Sequence, residues 1–382
     1  MGIYLDNAAT TRPKPPSVIQ AVLHAIEAVG ASPGRAAHRL AREASETVVG
    51  TREKVASLLG ISDFRRVVFT KNATESINVV LKGWLRPGDR VLYSSLEHNA
   101  VVRPLRRLSD ESGVEAERIP CGPRGEMDLG ALRRLLDLPT RLVVLTHASN
   151  VNGALQPVPD AARACSERGV PLLVDAAQTA GVQPIAADDW NIGMLACSGH
   201  KGLLGPQGVG ILYIRPDLDV LPLMEGGTGS RSEEDVQPEF SPDRYESGTP
   251  NLPGIAGLEA GVDFILGRGV DSIRKHELEL AVQLERSLAE MDGVRVFGPD
   301  VRGTGVVSFN VAGINPGDVA HLLDEGFDVA VRAGLHCAPL AHRNLGSFPE
   351  GTVRVSPGYA TTMEEIEQFL LAVRTLTSYR RR

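Results

Sequence analysis

Aromatic residues make up only 4% of the 382 positions, and no basic stripe with interleaved aromatics occurs, so the usual footprint of a nucleic-acid binder is missing. The formal charge of −7, from 47 acidic against 40 basic side chains, points the same way. Cysteine is sparse. Cys121, Cys165, Cys197 and Cys337 are widely spaced and none forms a C-x-x-C pair, which excludes a disulfide framework and suits a reducing, cytoplasmic setting. Every long apolar run is broken by charge, Gly or Pro well short of about 18 residues, so no segment reads as membrane-spanning. The opening MGIYLDNAATT has no basic stretch followed by an apolar one, and Asp6 stands where a myristoylation signal needs Ser or Thr. What remains is an ordinary globular composition, 42% hydrophobic and 23% charged, long enough for two or three domains at about 150 residues each. The terminal Arg380–Arg382 run reads as a solvated tail.

Short apolar runs alternate with helix-length amphipathic segments. VVFT (67–70), RVLYS (90–94), RLVVLTHAS (141–149), PLLVDAAQ (171–178) and GVGILYIR (208–215) read as strands buried on both faces, because they are continuously apolar. Ile77, Val80, Leu81 and Trp84 fall on one helical face that Pro87-Gly88 stops, and residues 37–59 form a second such face ending at Gly60. This alternation predicts an α/β fold with a mostly parallel sheet and helices on both sides. Residues 216–256 are rich in Pro, Gly, Ser and acid, as a functional loop or boundary would be. After a helical stretch over 257–296, VRVFG, GVVSFN and TVRVS suggest an antiparallel sheet. The expected division is a large α/β domain over 15–256 and a smaller α+β domain over 257–382, which takes in segment 1–14.

Ligands of open parallel sheets bind outside the carboxyl ends of the strands. The polar residues there are Thr74, His98, Asn150, Asp175, Gln178, Ser198, His200 and Lys201. No G-x-G-x-x-G follows a strand and no P-loop occurs, so dinucleotide and P-loop readings fail. His336, Cys337 and His342 raise a metal site, but the adjacent His-Cys side chains diverge and no second ligand pair lies near in sequence; no metal is expected. Pyridoxal 5'-phosphate fits better. Its pyridinium nitrogen needs a buried carboxylate, for which Asp175 is placed, and its carbonyl needs a lysine. Lysine is scarce here, which makes Lys201 in Ser-Gly-His-Lys conspicuous. The phosphate wants backbone N–H groups at a helix N-terminus, supplied at Ala73-Thr74, with Ser198 and His200 adding hydrogen bonds. Thr74 also suits simple helix capping, and Asp175 and His98 have structural readings of the same kind.

The segments YLDNAATT (4–11), TKNATESIN (70–78), EHNA (97–100), SNVNGALQPV (149–158), VDAAQTAG (174–181), SGHKGLLGPQGVG (198–210), RYESGTPN (244–251), RAGLHCAPL (332–340) and RVSPGYATT (354–362) resemble the cysteine desulfurases of the class V aminotransferase family. These are fold-type I vitamin B6 enzymes. The resemblance implies that Lys201 binds the cofactor covalently, Asp175 pairs with the pyridinium nitrogen, and Gln178 and Asn150 contact the ring hydroxyl. It further implies that His98 stacks on the ring and moves protons, while Thr74, Ser198 and His200 hold the phosphate. Thr249 would join them from the partner subunit of a homodimer. Arg354 would grip the substrate carboxylate, a task that suits a guanidinium better than an ammonium.

Cys337 decides the reaction. A nucleophilic thiolate needs exposure and positive neighbours, and Arg332, His336, His342 and Arg343 lie near it in sequence, whereas Cys121, Cys165 and Cys197 read as structural. The segment is similar to the R-x-G-H-H-C-A pattern of the Suf-type branch, linked to iron–sulfur cluster assembly, except that Leu335 replaces a histidine. His38 resembles a further active-site histidine of that branch and, with Arg332 and Arg354, completes the expected substrate-binding set. The implied activity converts L-cysteine to L-alanine, leaving sulfur as a persulfide on Cys337 for an acceptor protein or thiol reductant. Selenocysteine lyase chemistry, another reaction of the same scaffold, or a catalytically silent sulfur-trafficking scaffold remain as alternatives.

Overall fold

The computed structural model describes residues 2–34 and 38–379. Arg380–Arg382 and Ala37, the expected start of the second helix, lie outside them. Seven strands form the main sheet: β1 (Val67–Thr70), β2 (Arg90–Ser94), β3 (Glu115–Ile119), β4 (Leu142–Thr146), β5 (Leu172–Asp175), β6 (Met194–Ser198) and β7 (Gly210–Ile214). Their spatial order is β1-β7-β6-β5-β4-β2-β3. Only β7 runs antiparallel to its neighbours; the remaining pairings are parallel.

The apolar runs have a simple cause. Leu142 and Val144 of β4 enter the apolar layer on one face of the sheet, while Val143 and Leu145 enter the layer on the other. Leu173 of β5 likewise opposes Leu172 and Val174. With both faces covered, no alternation is left to see. The sequence pattern missed β3, whose residues EAERI are largely exposed. It pairs only with β2, and charge is what protects such an edge from further pairing.

Helices start directly after these strands. Ala73–Trp84 follows β1, with the Asn72 side chain accepting from the Glu75 N–H at 3.0 Å as its cap. Arg39–Leu59 ends at Gly60, whose φ of 65° is the left-handed stop that glycine permits. The carboxyl edge of the sheet therefore collects the turns after β1, β2, β4, β5 and β6.

A second sheet is antiparallel: β8 (Val294–Val296), β9 (Val307–Val311), β10 (Arg332–Gly334) and β11 (Thr352–Val355), in the order β10-β11-β9-β8. It packs its own core around Leu280, Leu284, Phe309 and Phe369. Ile3–Tyr4 pairs with Val329–Ala330 and Leu5 is buried in this core, which ties the N-terminal segment to the smaller unit. The helix Leu252–Arg268, by contrast, gives Ile255, Leu258, Val262 and Ile265 to the core of the main sheet. The next helix, Val270–Ala289, gives Leu280, Leu284 and Leu288 to the second core. We propose Gly269, between the two helices, as the division between the units rather than residue 256.

Candidate active site

The turns after five strands of the main sheet enclose one pocket, whose walls include Thr74, His98, Asn150, Asp175, Gln178, Ser198 and Lys201. Lys201 lies three residues beyond β6. Burial drives its amine down to about 8, while Asp175 pulls it upward and the charges of Arg354 and Arg332 push it down further. The backbone before it is held from the N-terminal segment. The His200 carbonyl accepts from the Thr11 N–H at 3.1 Å and from Lys14 Nζ at 2.7 Å, and the Lys201 carbonyl accepts from the Thr11 hydroxyl at 2.8 Å.

Asp175 ends β5 and is 5% exposed. Burial raises its pKa, while the Ala177 N–H donating to Oδ1 at 2.9 Å and the charge of Lys201 oppose that rise. His98 caps the helix Asn99–Ser112, its Nδ1 accepting from the Ala100 N–H at 3.0 Å. Burial lowers its pKa to about 4, helped by the charges of Lys201 and Arg332. It is therefore a neutral imidazole, and the bond at Nδ1 leaves its proton on Nε2.

At the mouth of the helix Ala73–Trp84, the Ala73 N–H donates to the Ser198 hydroxyl at 3.3 Å and Thr74 is exposed. His200 does not line the pocket wall, but its Nδ1 is buried with no partner. Burial lowers its pKa to about 4. An unpartnered imidazole nitrogen, two hydroxyls and a helix N-terminus form a donor set suited to a phosphate.

Arg354 on β11 is 1% exposed. Its Nη2 pairs with Asp6 Oδ1 at 2.7 Å and its Nη1 donates to the Asn150 carbonyl at 3.1 Å, while Nε is buried without a partner. A resident carboxylate thus already neutralises part of this guanidinium, and its buried Nε–H remains unsatisfied. Arg332 on β10 stands directly opposite Arg354 across the strand pair. Like charges in that position destabilise a sheet. Arg332 Nη2 lies 3.9 Å from Sγ of Cys337.

Cys337 is the one exposed cysteine; burial drives Cys121 and Cys165 up to about 12 and Cys197 higher still. The cationic surroundings expected from sequence need correction. His336 and His342 are both buried, with burial pushing them down to about 2 and about 4. Neither carries charge, and Arg332 is the cation that reaches the thiol. Asn150 donates to the His336 carbonyl at 2.8 Å and so links the pocket to the cysteine turn.

Two expected residues lie elsewhere. His38 is exposed and caps the helix Arg39–Leu59 through the Ala41 N–H at 3.2 Å. Thr249 is exposed beside a separate cavity of about 620 Å³, which Phe69, Met224 and Gly248 also line. Conversely, Asp6, Lys14 and Glu97 belong to the site's surroundings but had no assigned role. Asp6 and Glu97 stand inside matched segments, and nothing in sequence marks Lys14.

The class-V aminotransferase family model matches residues 3–369. A probable cysteine desulfurase of Methanothermobacter thermautotrophicus is 37% identical over 371 residues, covering 96% of this chain and 92% of the relative. The apo structure of the cysteine desulfurase of Thermococcus onnurineus superposes with a TM-score of 0.92 at 35% identity, covering 99% of this chain and 95% of that one. The cysteine desulfurase CsdA of Escherichia coli, in an S-sulfonic acid form, gives 0.89 at 30% identity with the same coverage. On this likeness, full-length in sequence and in fold, the chain belongs to the class-V aminotransferase family of enzymes.

Proposed function

We propose that the protein is a cysteine desulfurase that moves the sulfur of L-cysteine onto Cys337 and releases L-alanine. The observation that carries this is the placement of the exposed Cys337 thiol beside Arg332, in a turn that Asn150 of the Lys201 pocket holds through the His336 carbonyl. The family's cofactor is pyridoxal phosphate, and the residues present fit it. His200 Nδ1, Ser198, Thr74 and the start of the helix Ala73–Trp84 would take the phosphate, Asp175 the pyridinium nitrogen and Lys201 the carbonyl carbon, with Gln178 and Asn150 near the ring hydroxyl. When bound, the cofactor supplies an electron sink that labilises the α-proton and weakens the substrate's carbon–sulfur bond.

The chain's own groups do the rest. Arg354, buried beside Asn150 of the pocket wall, would hold the substrate carboxylate. His98, a neutral imidazole whose Nδ1 is held by the Ala100 N–H, offers its Nε2–H as a hydrogen-bond donor at the pocket wall. Arg332 sets a guanidinium 3.9 Å from the Cys337 sulfur, the cationic neighbour that a nucleophilic thiolate needs. That thiolate attacks the substrate sulfur: an S–S bond forms, the carbon–sulfur bond breaks, and cysteine plus enzyme thiol become alanine plus enzyme persulfide.

The finer reading is of a cytoplasmic homodimer of the Suf-type branch, passing sulfur to an acceptor protein or thiol reductant for iron–sulfur cluster assembly. Its support is the R-A-G-L-H-C-A segment, the four unpaired cysteines and an exposed Thr249 outside the pocket of its own chain. The test is Cys337→Ala. Cofactor and L-cysteine should still bind, seen as a change in cofactor absorbance on adding the amino acid, while alanine and sulfide production fall to background. Full turnover in the variant would remove Cys337 from the mechanism.

A further inference from the structure

Cys337 sits in a turn that its sequence does not favour. The Ala338 N–H donates to the Leu335 carbonyl at 2.8 Å, closing a four-residue turn whose central residues are His336 and Cys337. Both have positive φ, 46° and 57°. A turn with two such residues selects Gly, Asn or Asp, and other side chains are strained there. Strain of this kind persists only where the surroundings over-determine it.

The surroundings here are specific. Asn150 Nδ2 holds the His336 carbonyl at 2.8 Å, and the Asn99 N–H holds the Cys337 carbonyl at 2.8 Å. Asn99 opens the helix that His98 caps, so one helix start contacts both the pocket and the cysteine turn. Ala338 is fully buried in a small apolar cluster with Leu96, Val151 and Leu345. Beneath the turn, His336 Nε2 lies 3.1 Å from the Thr352 hydroxyl and 3.2 Å from the Thr352 carbonyl on β11. The carbonyl can only accept, so Nε2 carries the ring proton.

We propose that His336 is a positioning residue for the Cys337 thiol: its ring, anchored to Thr352, and its carbonyl, held by Asn150, keep the left-handed turn that aims Sγ at Arg332. The role is one of aim and not of charge, since the ring is buried and bonded to the strand below while the Arg332 guanidinium lies 3.9 Å from the sulfur. This deepens the desulfurase reading and rests on Cys337 being its nucleophile.

The test compares His336→Asn and His336→Val in the full-length holoenzyme. Asn accepts a left-handed backbone and Val resists it. His336→Val should bind cofactor and L-cysteine like wild type, yet lose about tenfold or more in the single-turnover rate of persulfide formation on the Cys337 peptide. His336→Asn should recover most of that rate, and the pH midpoint of Cys337 alkylation by iodoacetamide should match wild type. A wild-type rate in His336→Val, or a raised alkylation midpoint in His336→Asn, would overturn the proposal. If His336→Val does not fold, Thr352→Val removes one of the two ring acceptors and should slow persulfide formation with substrate binding intact; an unchanged rate there overturns it equally. Sulfur found on another cysteine of the wild-type enzyme would instead contradict the desulfurase reading, and the alkylation rate of Cys337 in His336→Val would still report on positioning.

Discussion

Glu97 immediately precedes His98 and is 0% exposed. Its Oε1 accepts from the Ser94 hydroxyl at 2.5 Å and the Thr146 N–H at 2.7 Å, while Oε2 has no partner. Burial raises its pKa from 4.5 to about 8, with the charge of Asp175 adding to the rise. The folded state therefore holds a proton that the unfolded chain gives up. Its stabilising contribution is complete below about pH 4.5 and is lost as pH climbs through about 8, at up to about 1.4 kcal/mol per pH unit. Glu97→Gln keeps a neutral acceptor and cannot ionise. Denaturant midpoints at pH 5 and pH 8 should show the wild type losing more stability over that interval than the variant. Glu277, driven to about 8 by the same burial, is present in both proteins and cancels from the difference. Equal slopes would mean that Glu97 is ionised in the fold. Nothing in the sequence reveals this neutral carboxyl, because its neutrality comes from burial and from the charge of Asp175 on β5, against the hydrogen bonds from Ser94 and Thr146.

At the scale of elements, the long segment between β7 and the helix Leu252–Arg268 holds no helix or strand, yet it is pinned. Glu246 makes a two-pronged pair with Arg52, at 2.8 and 3.0 Å, and its Oε1 accepts the Phe69 N–H at 2.6 Å. Arg52 is 4% exposed. Removing one partner of a buried pair strands the other charge, so Glu246→Ala should cost about 3–5 kcal/mol in urea unfolding. A loss under about 1 kcal/mol would show that the pair is solvated. The elements themselves were largely legible. Each apolar run became a strand, Gly60 ended its helix, and the helix expected around Ile77–Trp84 formed. The edge strand β3 was hidden because a charged edge carries no apolar signal, and the proposed shift of the domain division to Gly269 rests on the helix Leu252–Arg268 folding onto a core that precedes it in sequence.

For the whole molecule, Leu221, Leu223, Met224, Val236 and Phe240 of that same segment are all at least 40% exposed, close in sequence to the exposed Thr249. The proposed homodimer has this surface to cover and Thr249 to lend to its partner's phosphate site. Sedimentation should show a dimer, and Thr249→Ala should weaken cofactor binding by about 1.5–3 kcal/mol, the worth of a hydrogen bond to a charged group. A monomer that binds cofactor as tightly would contradict both.

Lys201, Asp175, His98 and Cys337 could be singled out from sequence because strand ends, helix starts and a scarce residue type are local properties, and each is visible within about ten positions of the chain. The α/β class followed from the same local periodicities. Their meeting was decided elsewhere. Tertiary structure set Asp6 against Arg354 across 348 positions and Asn150 against His336 across 186. It also turned His336 from an expected cation into a neutral anchor. Burial and distant partners, which no local pattern encodes, fix the charge state and direction of each side chain.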